Sequence, residues 1–198
     1  MPRGVDPVLS TKISHAFKEW AVVVDALGRG DQILILRKGG VQEESHLFRP
    51  EHKEFFLFPT FEHQNEEDLV PSARFRLKEM EIQEAQLGSA IPIQFYALLE
   101  ASLKIFNIDT LHKLKDHHIW SDQAVDKRFL WGEEKWLNVL LVKVFRLSKI
   151  FNLKSRKSYA GCKSWVDFEE VIPMEGSNPV LEEKEFKKRL DAIKKLLK

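Results

Sequence analysis

Between Gln94 and Lys104 an apolar side chain stands at every second position: Phe95, Ala97, Leu99, Ala101 and Leu103. A helix cannot keep such a period on one face, whereas a half-buried strand does, so the segment predicts a strand. Leu137–Leu147 is the strongest strand signal in the chain. These two segments commit the chain to a sheet.

The remaining elements arrange themselves around that sheet. From Ser10, the apolar residues Ile13, Phe17, Trp20, Val24 and Leu27 recur at spacings of three and four. This predicts a helix capped by Ser10 or Thr11 and stopped by Gly28. The turn Arg29-Gly30-Asp31 leads into a strand over Gln32–Leu36, closed by Gly39-Gly40. A further strand spans Glu54–Phe58 and ends at Pro59, after which Thr60 caps a short helix over Phe61–Leu69. Between Pro71 and Pro92 no single period persists. Asp109 caps a short helix through Lys115, and Ser121 caps another that carries Val125 and Phe129. A polar, basic loop over Ser148–Ser158 and a strand near Trp165–Val171 follow. Asn178-Pro179 then starts a final helix striped by Phe186, Leu190, Ile193 and Leu197. Strands interleaved with short helices make an α+β fold, its small sheet curled into a partly closed barrel with flanking short helices and an amphipathic C-terminal helix. The expected organisation is a tail at 1–9, one α+β domain over 10–176, and the helix over 177–198. That helix either docks on the barrel or serves a protein partner through residues 180–198.

A chain of 198 residues, 43% hydrophobic, with 14 Phe and 5 Trp, can build such a core without disulfides or a structural metal. Its lone cysteine, Cys162, excludes an intrachain disulfide framework and suits a reducing interior. No run approaches the roughly 20 apolar residues that span a bilayer. The start resembles no signal peptide. The expected location is therefore the cytoplasm, with no membrane association.

Charge carries the functional signal. Lys and Arg number 31 against 30 Asp and Glu, yet residues 135–166 hold Lys135, Lys143, Arg146, Lys149, Lys154, Arg156, Lys157 and Lys163 with no carboxylate among them. Segregation of this kind points to a surface facing an anion, nucleic acid first. Arg37-Lys38-Gly39-Gly40 sets two cations beside a flexible turn whose backbone N–H groups can approach a phosphate; without such a guest it is a hairpin turn with solvated charges. Phe58-Pro59-Thr60-Phe61-Glu62-His63-Gln64 presents an acceptor, a titratable ring and an amide after a rigid turn, and an amide like that of Gln64 reads a base edge. His117-His118-Ile119-Trp120-Ser121 offers rings for stacking, or core residues followed by a cap. Lys163 and Trp165 pair a cation with an indole.

Glu62, His63, His112, His117, His118 and Cys162 show no metal-ligand spacing, and no cofactor motif is present. Glu-x-Lys pairs such as Glu51-x-Lys53 recur too often here to mark a nuclease.

Four segments together resemble the bacterial family of domain of unknown function 1802. They are Ala16-Phe17-Lys18-Glu19-Trp20 running through Arg37-Lys38-Gly39-Gly40, Phe58 to Gln64, His118-Ile119-Trp120-Ser121, and Gly161-Cys162-Lys163-Ser164-Trp165-Val166. The resemblance covers roughly Ala16–Val171, leaves the final helix outside, and implies no assigned activity beyond an association with restriction-type nuclease domains. The order of elements is also similar to small barrels of the PUA and ASCH type, which bind RNA or modified bases. Fold alone does not give function.

The expectation is a polar cleft onto which Arg37, Lys38, His63, Gln64, His118, Trp120, Lys163 and Trp165 converge. Arg37, Lys38, Gly39, Gly40 and Lys163 would hold phosphate, His63 and Gln64 would read a base or backbone edge, and Trp120 or Trp165 would stack. The leading reading is a nucleic-acid binding module for a modified or single-stranded base. A phosphodiesterase or hydrolase using Glu62, His63 and His118 is one alternative. An adaptor acting through the final helix is the other.

Overall fold

The alternating segment around Phe95 is a strand, longer than its period alone indicates. The computed structural model describes residues 13–38, 52–87 and 90–198. In chain order these form β1 (His15–Trp20), α1 (Ala21–Arg29), β2 (Leu34–Arg37), β3 (Glu54–Thr60), α2 (Pro71–Leu87), β4 (Ala90–Ile105), α3 (Ile108–His112), α4 (Asp122–Leu130), β5 (Leu137–Lys154), β6 (Trp165–Asp167), β7 (Asn178–Pro179) and α5 (Glu183–Leu196). Short 3-10 turns lie at Glu66–Asp68, Lys115–His117 and Lys157–Tyr159.

One mixed sheet contains all the strands of the described residues, in the order β2-β5-β4-β3-β1-β6, with β7 added to β5. Its spine is the antiparallel ribbon of β4 and β5, paired from Ala90↔Lys154 to Ile105↔Leu137. The register shifts twice, between Ile93 and Phe95 and between Leu99 and Ala101. Such irregularities bend a strand and tighten its twist, and the sheet curls into a half-barrel with short helices about it. The α+β expectation holds.

Apolar residues cover both faces of this sheet. Neighbouring positions divide between two clusters: Phe17, Phe55, Leu57 and Ala97 face one way, Ala16, Phe56, Phe58 and Tyr96 the other. The first cluster includes residues of α1, α4 and α5. The second is closed by Leu153, Tyr159, Phe168 and Ile172.

Several expected elements differ. No helix spans residues 13–20, because β1 occupies His15–Trp20 and runs parallel to β3 from Ala16↔Phe56 to Trp20↔Thr60. Tertiary pairing overrode a spacing that merely joined strand residues to helix residues. The helix begins at Ala21 and ends at Gly30, whose φ of 75° is the left-handed conformation that glycine adopts readily. Pro59 lies within β3 rather than ending it. Asn65, not Thr60, caps the turn at Glu66–Asp68. The unassigned 71–93 region is mostly α2, Asn107 rather than Asp109 caps α3, and β5 continues to Lys154 through the expected loop. Asn178-Pro179 pairs with β5, and α5 begins at Glu183. Its residues Phe186, Leu190 and Ile193 are buried in the first cluster, so this stripe docks on the chain's own core. Ser121 does cap α4, its Oγ accepting from Ala124 N–H at 3.2 Å.

Gly28, inside α1, is required by close packing. A Cβ there would lie 2.2 Å from Cζ of Phe95, a ring that is 6% exposed and covered by the Arg146 guanidinium at 4.8 Å. Gly28→Ala is therefore expected to lower stability by about 1–3 kcal/mol despite alanine's better helix propensity, because the buried ring must be displaced. Urea denaturation of the variant against the parent checks this, and an unchanged or higher midpoint contradicts the packing account.

Candidate functional site

The C-terminal residues of β1 and β2 both line a cleft of about 380 Å³. The turn after β3, Ala124, Lys127 and Arg128 of α4, and the loop at Gly161–Lys163 complete its wall. Each part is held by a local device. Lys18 N–H donates to Ser164 O at 2.8 Å, so the loop before β6 is tied to β1. Thr60 Oγ1 accepts from Glu62 N–H at 3.3 Å and His63 takes a φ of 60°, a conformation that histidine tolerates better than most residues. Trp120 is fixed by a bridge to Leu69, flanked by Val70 N–H donating to Ile119 O and Ser121 N–H to Asp68 O, both at 2.9 Å. Buried Gln32 secures the same segment, its Oε1 accepting from Ile119 N–H at 3.2 Å.

The floor is built of indole and guanidinium. Trp20 and Trp120 meet edge to face, ring centres 4.7 Å apart. The Arg128 guanidinium lies 3.5 Å from the Trp120 centroid and 5.4 Å from that of Trp20. Contact this close is a strong cation–π arrangement when the cation is desolvated. Burial lowers the pKa of Arg128 from its ordinary value, against the pull of Glu19 and Asp68. Among the described residues its Nη1 is buried without a hydrogen-bond partner, as is Nε1 of Trp120. Beside them Glu19 is 4% exposed. Burial pushes its carboxyl above the usual range, opposed by Arg37, the Trp20 N–H and then Arg128.

Among the described residues six cations line the cleft, Lys18, Arg37, Lys38, Lys127, Arg128 and Lys163, against three carboxylates, Glu19, Glu62 and Asp68. Lys18 donates to Tyr159 O at 2.5 Å and lies 3.6 Å from Glu62 Oε2; burial lowers its pKa, and Glu62 offsets part of that. Arg37 donates to Ser164 Oγ from Nε and Nη2, at 3.2 and 2.8 Å, and sits 5.2 Å from the Phe17 centroid.

The structure brings Arg37, Lys38, Glu62, His63, Trp120 and Lys163 to one cleft and leaves Gln64, His118 and Trp165 out of its lining. Both amide atoms of Gln64 are buried behind the turn. Trp165 packs edge-on against Phe17 and Phe55 at 5.1 and 5.3 Å. His118 is a core residue. With His118 absent from the lining, the acid–base trio Glu62, His63 and His118 does not share one cavity. Trp120 is only 2% exposed beneath Arg128, so the face expected to stack a base is already covered. Lys38 donates to Phe129 O, Glu134 O and Trp136 O, which makes it a cap for backbone carbonyls. Gly39 and Gly40 lie outside the described residues.

The basic run does not form a single face. Of its eight cations only Lys163 lines the cleft, and that side chain donates to Ser158 O. Arg156 pairs with Glu169 and Glu170 at 2.6 and 2.5 Å, Lys143 pairs with Glu183, and Arg146 donates to Gly28 O at 2.7 Å. Sequence reasoning missed Lys18, Glu19, Trp20, Asp68, Lys127, Arg128 and Trp131 as lining residues. Cys162, exposed, also lines the cleft.

The family model described as "Domain of unknown function (DUF1802)" matches residues 16–192, which reaches well into α5 and beyond the span expected from sequence. The chain belongs to the DUF1802 family. No curated protein matches it. Among solved structures, the DUF1802 chain is similar to the crystal structure of ASCH from Zymomonas mobilis, with a TM-score of 0.45 and 12% identity over 89% of this chain and 93% of that one. A tyrosine-to-phenylalanine mutant of that protein gives 0.46 and 12% over 89% and 96%. At these scores the likeness carries no argument about what this chain binds. No helix among the described residues is long and apolar enough to cross a membrane.

His118 of this DUF1802 chain gives a pH test of its placement. Its Nδ1 accepts from Trp120 N–H at 3.2 Å, which puts the proton of the neutral ring on buried Nε2. Burial pushes its pKa from 6.5 down to about 4. In that interval the unfolded chain binds a proton that the native chain refuses. Stability is therefore full above pH 6.5 and falls toward pH 4, by about 3 kcal/mol for this group. Denaturant titrations at pH 7 and pH 4.5 should show His118→Gln losing less stability than the parent over that step. Equal losses contradict the placement.

Proposed function

We propose that this chain is a nucleic-acid binding module whose cleft receives one unpaired or modified base together with its phosphate. The observation that carries the reading is the Arg128 guanidinium set over the Trp120 ring, 3.5 Å from its centroid, with one nitrogen lacking a partner among the described residues, in a cleft where the described cations outnumber the described carboxylates two to one. Keeping a guanidinium desolvated and incompletely hydrogen-bonded costs free energy. A ligand bringing acceptor atoms and a flat ring relieves that cost. Arg stacks on bases, and the exposed indole of Trp131 at the rim gives a second aromatic surface. Arg37 and Lys127 are the cations placed to meet a phosphate. Lys38 and Lys163 stabilise the walls and set the local potential.

Fluorescence anisotropy of a labelled single-stranded oligonucleotide, deoxy and ribo, tests the proposal across a salt series. Log K should fall with log salt by about 0.7 per phosphate neutralised. Arg128→Ala should weaken binding about tenfold or more, since it removes a stacking plane and a charge together. A flat salt dependence, or an Arg128→Ala chain binding as the parent does, overturns it.

A further inference from the structure

Glu19 lines this cleft as a buried residue, one position before the end of β1, and it is not satisfied there in the way a buried carboxylate ordinarily is. Among the described residues its only hydrogen bond comes from Trp20 N–H, to Oε1, at 2.7 Å. Arg37 and Arg128 both attract it electrostatically, yet neither makes an ion pair with it among the described residues. Each guanidinium is instead held elsewhere, Arg37 by Ser164 Oγ and Arg128 by the Trp120 ring. The result is an acceptor group flanked by two donor groups, held apart by the surrounding fold. A desolvated carboxylate in this state is matched by a guest that brings N–H donors to it and carbonyl acceptors to its neighbours.

We infer that the base selected by this cleft is guanine, or a base with guanine's pattern of two adjacent N–H donors beside acceptors. The inference rests on the reading of the cleft as a base site. Guanine alone of the common bases offers N1–H and an N2 amine side by side, one for each carboxylate oxygen of Glu19. Its O6 and N7 atoms accept from a guanidinium, the pairing through which Arg reads guanine in DNA. Adenine and cytosine set one amine beside an unprotonated ring nitrogen, which would place a lone pair against the second carboxylate oxygen. Uracil and thymine bring a single N–H between two carbonyls, one of which would face Glu19.

The experiment uses the full chain and a set of short single strands that vary only one central base, with thymidines on either side. Guanine, adenine, cytosine, thymine and hypoxanthine are compared, the last lacking only the N2 amine. The guanine strand should bind about tenfold or more tightly than the adenine, cytosine and thymine strands, with hypoxanthine between. Glu19→Gln should reduce that preference about tenfold, because an amide accepts at one atom only. If Glu19→Gln does not fold, the ranking on the unaltered chain still decides. Equal affinity for all five strands overturns guanine selection and leaves the base site standing. Failure of every strand to bind at low salt overturns both.

Discussion

The parallel pairing of β1 with β3 fixes everything else at the working end of this molecule. It places His15–Trp20 in the interior of a sheet, between β3 and the short β6, where Ala16, Phe17, Lys18 and Glu19 are all buried. Because α1 follows β1 without a loop, the chain turns into the helix directly after Trp20, the last paired residue of the strand. Three consecutive residues, Lys18, Glu19 and Trp20, thus supply a cation, a carboxylate and an indole to one cleft. Few arrangements other than a strand end could put two oppositely charged groups so deep and still leave their polar atoms near a cavity.

Burying charge at the end of a strand is expensive, and the fold offsets the cost differently at each residue. Lys18 spends its ammonium on Tyr159 O, Gly161 O and the Glu62 carboxylate, so it is mainly a strut that positions the 160–163 loop and the 60–63 turn. Glu19 takes one backbone N–H and the field of two arginines. Arg128 takes the faces of Trp120 and Trp20. The last two are less fully matched than the first. That asymmetry, rather than the total number of cations, is what separates a binding site from a set of structural ion pairs such as Arg76 with Asp25 and Glu79.

Much of the sheet was legible because it obeys simple periods. Phe95 to Leu103 alternates since β4 has one face more buried than the other, and Leu137 onward reads as strand because β5 is buried on both. β1 was not legible for the same physical reason taken further. A short strand buried on both faces shows no alternation, and the spacing of Phe17, Trp20, Val24 and Leu27 joined it to α1 as one helix. Lys18 and Glu19 stand in a chain with 31% charged residues, and nothing local announces that a charged pair is interior. Arg128 was equally silent: its partner Trp120 lies eight positions away, across the start of α4, and only their packing reveals the stack. The run from Lys135 to Lys163 misled because β5 distributes alternate side chains to opposite faces, and Lys135, Lys143, Arg146, Arg156 and Lys163 found carboxylates or carbonyls elsewhere in the fold. The turn at Thr60–His63 and the cations Arg37 and Lys38 were found because glycine, proline and charge at strand ends leave a local signature. Gln64, His118 and Trp165 carry the same kind of signature, yet in this fold they turn inward.

The tryptophans themselves provide the most direct test. Of the five in the chain, Trp20, Trp120 and Trp131 line the cleft, while Trp136 and Trp165 do not. Their indole N–H resonances in a proton–nitrogen correlation spectrum can be followed as a short single-stranded oligonucleotide is added. If the Arg128 cleft is the base site, the resonances of Trp20, Trp120 and Trp131 shift and saturate together while those of Trp136 and Trp165 stay in place. Movement confined to Trp136 or Trp165, or no movement at ligand concentrations that saturate binding, contradicts the account.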